Sequence, residues 1–426
     1  MINQQIIKSK TLIHDSWLVI LFPILFIFTA SSNYFFISPE EILILLMGLF
    51  LIAKIFASGK AVIINSDTFI IFAIFCLVYF FSLLSRESIG ASHVKIAISL
   101  FGTKLLLIYL IYTSIKSFSF FKKVIGCLIA IGLILVIIGG AILLITQDIN
   151  YFRSTIYFSQ DYFSGFLKHT VFFNPNFYSR TLLFIMPFFL LPIINLKSIK
   201  YKLACLAGII GVVLMTIFTF SRMSMIALSI LILLIVYKLG NKKIKKRKAQ
   251  FFLTTFFIAL ILITQSFIIE RFENKISQYK NQDTTLRIEM IKVGLKSFYN
   301  NPILGTGPGS AKEMLSQDPG LKKHIYFFKG NRDEFAMHNN FLLILVETGL
   351  VGLLLFLMFL CSYWRYINKI KQNLKPDQNY LSTVLDAVRL SFIAFILTGL
   401  TAVNLGMNII WFILALPFVI DRIRKE

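Results

Sequence analysis

His338 is the residue best suited to proton transfer, and it stands where a polar segment meets a run of leucines, MHNNFLLILVETGLVG, residues 337–352. A neutral imidazole near pH 7 can take a proton from an attacking hydroxyl. A single histidine can equally serve as a hydrogen-bonded structural residue. No second His, Asp or Cys at ligand spacing accompanies it and no HExxH motif occurs, so we expect no metal site. His338 is therefore a candidate general base.

Arginine is the second side chain with a chemical role to offer, because its planar guanidinium group suits the oxygens of a diphosphate. Arg222 lies in TFSRMS, where two apolar runs meet with almost no loop between them, and Arg287 lies in a long polar segment. The two are candidates to clamp a diphosphate together. The alternative for Arg222 is a contact with lipid headgroups. Arg180, in NPNFYSR, and Arg153 are candidates for further contacts with the same anion.

The chain that must position these residues is mostly apolar. Of the 426 residues, 57% are hydrophobic, and the mean hydropathy is +0.79. Apolar runs of about 20 residues, the length that crosses a bilayer, recur from one end to the other. The sequence therefore predicts an all-α, polytopic integral membrane protein with about 12 transmembrane helices. The predicted spans are residues 17–34, 40–58, 68–84, 94–115, 122–146, 177–195, 203–220, 222–239, 249–268, 340–363, 384–402 and 407–420.

The distribution of Lys and Arg predicts the orientation of these helices. Cationic clusters such as KLGNKKIKKRK, residues 238–248, and the tail DRIRKE fall on one side of the membrane, and the short loops of the other side hold few cations. Because such clusters stay on the inner side, we expect both termini there. Much of the formal net charge of +23 follows from this topology. The sequence shows no basic groove with interleaved aromatic residues, which is the pattern that would indicate a nucleic-acid partner.

Two segments on the outer side are long enough to carry chemistry within a single transmembrane domain at residues 1–426. The smaller loop is residues 147–176, and the large, partly helical loop is residues 269–338. Basic residues outnumber acidic ones in the large loop, which favours an anionic partner. Because His338 ends this loop, we expect the large loop to carry the active site.

Within the large loop, DTTLRIEMIKVGLKSFYNNP, residues 283–302, has the pattern of an amphipathic helix. The apolar residues of one face are Ile288, Ile291, Leu295 and Phe298. Such a helix can lie on the membrane surface, or it can pack against the protein. The segment LGTGPGS, residues 304–310, follows it. Its glycines are typical of a turn, and the alternative is a loop whose amides cradle a phosphate.

Several of these segments together resemble one known family. His338, Asn339, nine further residues, Gly349, two residues and Gly352 match the HN(x9)GxxG pattern of the O-antigen ligases, in the wider ligase and polymerase family of bacterial surface polysaccharide enzymes. The helix with Arg287 and its glycine turn, TFSRMS and FFNPNFYSR resemble further motifs of that family. The resemblance is strongest over residues 170–360. The two glycines of the motif also predict a close helix contact below His338.

The resemblance implies a metal-independent, inverting membrane glycosyltransferase without a cofactor, at the periplasmic face of the bacterial inner membrane. Its donor would be a glycan on undecaprenyl diphosphate, and its acceptor a sugar hydroxyl of the lipid A core, with membrane lipids as the surrounding partners. Arg222 and Arg287 would bind the diphosphate, together with Arg180. His338 would activate the acceptor, and Asn339 and Arg153 would support the site.

Two other functions remain open from the sequence. A polymerase of the same family would extend the glycan by repeat units instead of joining it to the core. A transporter of lipid-linked or anionic solutes would have broken helices in corresponding halves and several charges at the membrane midplane. For the transporter the sequence offers little beyond Lys104 and Arg389.

Overall fold

A computed structural model of the protein describes residues 44–49, 63–86, 88–146, 175–219, 221–240, 276–322 and 337–425. Within these ranges every regular element is a helix, as the predicted all-α class requires. The predicted spans at 17–34 and 249–268, most of the span at 40–58, and Arg153 with most of the smaller loop lie outside the described residues. The number of 12 transmembrane helices therefore stays a prediction.

The helices are named here in chain order. They are α1 (Asp67–Phe81, continued by a 3-10 turn at Ser82–Ser85), α2 (Ala91–Ala97, continued by a π turn at Ile98–Gly102), α3 (Thr103–Ser114), α4 (Phe118–Thr146), α5 (Pro175–Ile185, followed by a 3-10 turn at Met186–Phe189), α6 (Leu190–Asn195), α7 (Ile199–Phe218), α8 (Arg222–Gly240), α9 (Ile276–Asn300), α10 (Ser310–Gln317), α11 (Pro319–Lys322), α12 (Asn340–Gln372), α13 (Asn379–Gly399) and α14 (Asn408–Ile423).

Seven helical stretches of the described residues are long and apolar enough to cross a membrane. They are Asp67–Ser85, Ala91–Ser114, Phe118–Leu144, Asn176–Asn195, Ile199–Phe218, Asn340–Gln372 and Asn379–Gly399. Each coincides with a predicted span. Two further predicted spans coincide with α8, which is apolar over Met223–Tyr237, and with α14, which are both shorter. The lengths of the apolar runs thus predicted these helices well.

α14 lies at the centre of the core, because its residues from Asn408 to Ile420 are all buried. A helix that is apolar on every side is stable only inside the protein. The Trp411 ring is fully buried, and its centroid lies 5.0 Å from that of Phe72 on α1. The indole Nε1 donates a hydrogen bond of 2.6 Å to the carbonyl of Leu405. This contact fixes the start of α14 against the loop before it.

The loop between α13 and α14, residues 400–407, lies at the end of the bundle where α12 begins, which is called the His338 end below. α14 has 16 residues. That length corresponds to about 24 Å, less than the roughly 30 Å of bilayer hydrocarbon. With Arg422 of its last turn at the opposite surface, its first residue would lie below the surface at the His338 end. The α13–α14 loop therefore brings backbone polar groups to membrane depth, where they must be paired.

Candidate active site

The start of α12 is fixed by the two asparagines that follow His338. Asn339 is the N-cap, and its side-chain oxygen accepts hydrogen bonds from the N–H groups of Phe341 at 2.8 Å and Leu342 at 3.0 Å. These are donors that a helix start leaves unpaired. The Asn339 Nδ2 donates to the carbonyl of Leu400, 2.9 Å away. Asn339 therefore ties the start of α12 to the α13–α14 loop.

His338 itself is half-buried and has a left-handed backbone with φ of 46°, which no other described residue except glycine adopts. This conformation costs a residue with a side chain on the order of 1 to 2 kcal/mol, and it persists only where the surroundings impose it. His338 directly precedes the Asn339 cap, so this unusual backbone conformation lies at the entry to α12. Backbone strain of this kind is frequent at active sites.

Asn340, the first residue of α12, pairs with Asn404 in the α13–α14 loop. The backbone N–H of Asn404 donates to Asn340 Oδ1 over 3.0 Å, and Asn340 Nδ2 donates to the side-chain oxygen of Asn404. Asn404 Nδ2 in turn donates to the carbonyl of Phe395 at 3.1 Å and to Thr398 Oγ1 at 2.8 Å. Both asparagines are buried and have partners for their amide groups, so they hold the loop in one position.

Arg180, on α5, is a buried cation with neutral partners. Only 5% of the Arg180 surface is exposed. Its Nε donates to the carbonyl of Asn176 at 2.7 Å, its Nη1 donates to the carbonyl of Val403 at 3.2 Å, and its guanidinium carbon lies 4.7 Å from the Phe177 ring centre. Within the described ranges, Arg180 takes part in no ion pair with a carboxylate. Among the described residues, its positive charge is therefore balanced by carbonyl groups and a ring face and by no carboxylate.

The partner of Arg180 connects it to His338. Val403, which accepts from Arg180, directly precedes Asn404, which pairs with Asn340, two residues after His338. Arg180, Asn340 and Asn404 are called the loop cluster below. Arg180 and Asn339, two of the predicted site residues, are thus both bonded to the α13–α14 loop.

Arg222 is the first residue of α8, and this helix starts close to the loop cluster. Ser221 directly precedes Arg222, and Ser224 follows it by two residues. The hydroxyls of these two serines share a hydrogen bond of 2.9 Å, and Ser224 also bonds the hydroxyl of Ser179 on α5 at 2.7 Å. Because Ser179 directly precedes Arg180, the start of α8 lies beside the loop cluster. The side chain of Arg222 is outside the described part of the structure. The backbone alone brings the two predicted arginines to neighbouring positions.

Arg287 is on α9, which packs against the start of α12. Leu286 and Met290 are buried with Met337 and Val346, whereas Arg287 itself is exposed. α9 therefore reaches the residue that precedes His338. The structure also shows which face of α9 packs: the apolar residues predicted to form one face are not the ones it buries, since Ile288 is 48% exposed.

The glycine turn after α9 docks against a break in α12. Gly349 has φ of 65° and ψ of −163°, which no helix contains, and the turn supplies the missing backbone partners. The N–H of Leu350 donates to the carbonyl of Pro302 at 2.8 Å, and that of Gly307 donates to the carbonyl of Glu347 at 2.9 Å. Gly305 and Gly349 pack backbone against backbone, because a Cβ on Gly349 would lie 2.7 Å from the nitrogen of Gly305.

These bonds distinguish the two interpretations of LGTGPGS, which are a turn and a loop whose amides bind a phosphate. The N–H groups of Thr306 and Gly307 donate to carbonyls of α12, and the N–H of Gly309 donates to Glu347 Oε1 at 2.8 Å. These N–H groups are not available to a phosphate. The interpretation of the segment as a phosphate-binding loop is therefore wrong, and the segment is a turn. Gly349 likewise permits a close turn contact and not the helix contact predicted from its spacing.

Glu347 is a buried polar residue that the sequence analysis missed. It is 2% exposed, and besides Gly309 it accepts a 2.6 Å hydrogen bond from the Tyr79 hydroxyl of α1. A carboxyl inside an apolar span was a signal that could have revealed it. Because Gly309 is the N-cap of α10, Glu347 places its carboxyl group at a helix start and accepts a hydrogen bond from one of the N–H groups there.

A second missed group joins α10 to the loop before α2. Arg86 and His93 both bond Glu313: Arg86 through Nη2, and His93 through Nε2 at 2.5 Å from Oε1. The N–H of Gly90 donates to His93 Nδ1 at 3.0 Å, so Nδ1 is the acceptor and Nε2 carries the proton. Burial raises the pKa of Glu313, but the hydrogen bonds from His93 and Arg86 outweigh it and the pKa is lowered. Arg86, His93 and Glu313 are called the ion-pair cluster.

Lys104, a buried cation of unassigned role, lies below the loop cluster. It is 1% exposed, and its Nζ donates to Asn408 Oδ1 over 2.5 Å. Asn408 is the first residue of α14, so the α13–α14 loop has Arg180 on one side and Lys104 at its end. Lys104 thus ties α3 to the start of α14.

The chemistry that this arrangement offers is recognition of an anion next to an imidazole. In the described residues no group of three or more His, Cys, Asp or Glu side chains could hold a metal ion. What converges at the His338 end is the Arg180 guanidinium, the start of α8 at Arg222, α9 with Arg287, and His338. The fold and the site are those of a polytopic helical membrane protein with a polar, cationic site at one end of its bundle.

Comparison with known proteins finds a family match for part of the chain. The family profile described as O-antigen ligase matches residues 206–357, which contain the start of α8, α9, the glycine turn and the first half of α12. This match covers 152 of the 426 residues and supports the resemblance of the chain to the O-antigen ligase and polymerase family. Members of this family are membrane glycosyltransferase-like bacterial enzymes that act on lipid-linked glycans. No curated protein matches the chain.

Proposed function

We propose that the protein is an O-antigen ligase, which transfers a glycan from undecaprenyl diphosphate to a sugar hydroxyl of the lipid A core. The observation that carries the proposal is the loop cluster. Arg180 is buried with neutral partners and is joined through Val403, Asn404 and Asn340 to the helix start at His338. A buried cation with dipoles for partners is costly until an anion binds beside it. The diphosphate of a lipid-linked glycan is such an anion.

The donor binds through its diphosphate. Arg180 contacts it from α5, Arg222 from the start of α8, and Arg287 from α9, with Arg153 as a further contact. The lipid tail sets the depth of the diphosphate at headgroup level, which suits a site built from helix ends. Removal of one such contact costs about 2 to 4 kcal/mol of transition-state stabilisation.

The acceptor is activated by His338. Its imidazole takes the proton of the acceptor hydroxyl while the hydroxyl oxygen forms a bond to the anomeric carbon. The bond from that carbon to the diphosphate oxygen breaks on the opposite face, so the configuration inverts. The lipid diphosphate leaves with both electrons of that bond, and the arginines balance its added charge. Because the leaving group is already good, the reaction needs neither a metal nor a cofactor.

The reaction takes place at the periplasmic face of the inner membrane, with both termini of the chain in the cytoplasm. The positive-inside pattern of the loops supports this orientation. Arg86, His93 and His338, all near the His338 end, belong to segments that this orientation puts on the outer side.

The test is transfer in vitro by the purified full chain, with lipid-linked glycan and core acceptor in detergent, without nucleotide or metal. We expect product from the wild type and a loss of at least about 100-fold in the His338→Ala variant, as for removal of a general base. His93→Gln is the matched control, because His93 lies at the same end but outside the site, and it should retain transfer. Full transfer by His338→Ala would refute the assigned mechanism.

A repeat-unit polymerase is the second candidate, since the family includes both activities. The same assay separates the two when a lipid-linked repeat unit replaces the core acceptor. A ligase forms product with the core only, and a polymerase forms it with the repeat unit.

A transporter is less well supported. Transporters expose the backbone of broken helices to their substrate. The break in α12 at Gly349 is filled by the glycine turn, which bonds Leu350 and Val351. The N–H groups of Leu350 and Val351 are therefore bonded within the protein and are not offered to a solute.

A further inference from the structure

Six exposed apolar side chains run along α9 and the turn after it. This α9 stripe consists of Ile288, Ile291, Leu295, Tyr299, Ile303 and Leu304, from 38% exposed at Leu295 to 77% at Tyr299. At 100° per residue, the four members on the helix lie within an arc of about 80°. Leu286, Met290 and Ser297 point the other way and are buried. Packing on the protein therefore uses one face of α9 and leaves the stripe exposed on the opposite face.

The height of α9 relative to the membrane follows from α12. Arg365 is exposed and is the first cation along α12. About 20 helical residues cross the hydrocarbon, so the other boundary lies close to Leu345. A Cβ on Gly294 of α9 would lie 3.2 Å from Met337 and 3.3 Å from Val346. Because these two residues bracket Leu345, α9 crosses α12 at the level of the membrane boundary.

The end of the stripe continues the lipid-facing side of α12. The N–H of Leu350 bonds the carbonyl of Pro302, and that of Val351 bonds the carbonyl of Ile303 at 3.3 Å. Leu350 is 48% exposed and begins the apolar outer face of this membrane span. Ile303, 67% exposed, therefore lies beside side chains that already face lipid.

Two cations complete the pattern. Lys292 and Lys296 are exposed on one flank of the stripe. An apolar face with lysines at its edge, at the height of the boundary, is the arrangement of helices that lie in the membrane interface. Anionic headgroups attract lysines at that height. The stripe continues into the lipid-facing side of α12. A second protein could therefore cover the stripe only if it also reached that lipid-facing side.

We propose that the α9 stripe is inserted into the leaflet at the His338 end, at the boundary between headgroups and acyl chains, with Lys292 and Lys296 beside the phosphates of anionic lipids. The lipid anchors α9 on the side away from α12, so that the helix carrying Arg287 is held from both sides. This lipid contact goes beyond the transfer reaction and does not depend on it.

The experiment is spin labelling of the full chain in vesicles of phosphatidylcholine and phosphatidylglycerol. The native cysteines, Cys76, Cys127, Cys205 and Cys361, are first replaced by alanine. A single cysteine is then introduced as Leu295→Cys, and as Ile291→Cys in case the first variant does not fold. Collision rates with oxygen, which concentrates in lipid, and with a water-soluble nickel chelate report the depth of the label. Leu354→Cys on the exposed face of α12 and Lys312→Cys on exposed α10 are the controls for lipid and for water.

We expect the labels on the stripe to fall between the two controls, with more oxygen than nickel contact. The Lys292→Gln, Lys296→Gln double variant should make the label shallower only in vesicles that contain phosphatidylglycerol. A nickel contact equal to that of Lys312→Cys would overturn the proposal, because the stripe would then face water. Shielding from both reagents would also overturn it, since a protein partner would then cover the stripe. An equal depth with and without both lysines would overturn the role given to anionic lipid.

Discussion

Two polar clusters lie at the His338 end of the bundle, and their charges are balanced in different ways. In the ion-pair cluster, Glu313 has Arg86 on one carboxylate oxygen and His93 on the other. In the loop cluster, Arg180 is bonded to two carbonyl oxygens and has no carboxylate partner among the described residues. Both hold chain segments far apart in sequence. Only the first does so with its charges neutralised.

The difference indicates what each cluster is for. A charge that has its counter-ion in the protein contributes to stability and has little left for a ligand. A buried cation with neutral partners reduces stability, and its removal can even stabilise a protein. Arg180 is therefore expected to matter for binding, and Arg86 for folding. Four predictions test this contrast.

The largest effect is expected at the break in α12, where the glycine turn docks. Gly349→Ala would place a Cβ 2.2 Å from the carbonyl oxygen of Ile303, at a backbone φ of 65° that alanine adopts poorly. We expect a loss of about 3 to 5 kcal/mol in the free energy of unfolding, from steric overlap and strain together. Thermal unfolding in detergent measures it.

Gly126→Ala is the matched control for this substitution. Gly126 lies on α4, and a Cβ there would meet nothing within 4 Å. In a helix this change should stabilise by about 0.5 to 1 kcal/mol. Equal effects at the two glycines would show that the turn does not press on α12 as described.

The next largest effect is expected for Arg180→Gln, and on activity alone. Transfer should fall about 100- to 1000-fold, as when one preorganised charge contact is removed from a transition state. The midpoint of thermal unfolding should stay the same or rise, because an uncompensated buried cation is removed. The transfer assay and thermal unfolding of the same preparation give both numbers. A clear drop in the unfolding midpoint with normal transfer would reverse the assignment of the two clusters.

Arg86→Gln should give the opposite result, which is a loss of stability with unchanged transfer. The effect should be smaller than that of Arg180→Gln. Loss of its bonds to Glu313 and to the carbonyl of Pro308 should cost about 1 to 2 kcal/mol of stability. Transfer, measured at a temperature where the variant stays folded, should be unchanged. A variant that keeps its unfolding midpoint and loses transfer would mean that Arg86 also contacts substrate.

The sequence predicted most of the fold because bilayer thickness fixes the length of an apolar run. The span predicted at 340–363 and the helix predicted at 283–302 were found at their places, as α12 and as the end of α9. His338 and Asn339 at a helix start followed from the change of polar to apolar residues. The face that α9 buries could not be read in this way, because a lipid-facing stripe and a packing stripe have the same composition.

The partners within the site were beyond the reach of the sequence. Arg180 bonds a residue 223 positions away, and the Tyr79 hydroxyl bonds Glu347 across 268 positions. No local spacing encodes such contacts. The break at Gly349 was missed for the same reason, since its cause is a turn more than 40 residues earlier that packs backbone against backbone. Candidate residues could be named from the sequence, but the groups that they bond could not.

The smallest expected effect is the dependence of stability on pH through Glu313. Its pKa in the folded protein is lowered from an ordinary value of 4.5, because the bonds from His93 and Arg86 outweigh the effect of burial. A lowered folded pKa means that the stabilisation is complete above about 4.5 and is lost as pH falls below it through the folded pKa. The side chain is 44% exposed, so water screens the pair and the loss should stay below about 1 kcal/mol. The unfolding midpoint of the wild type should therefore fall more steeply below 4.5 than that of Glu313→Gln, which cannot titrate there. Parallel curves for the two proteins would mean that the ion-pair cluster does not hold α10 through its charge.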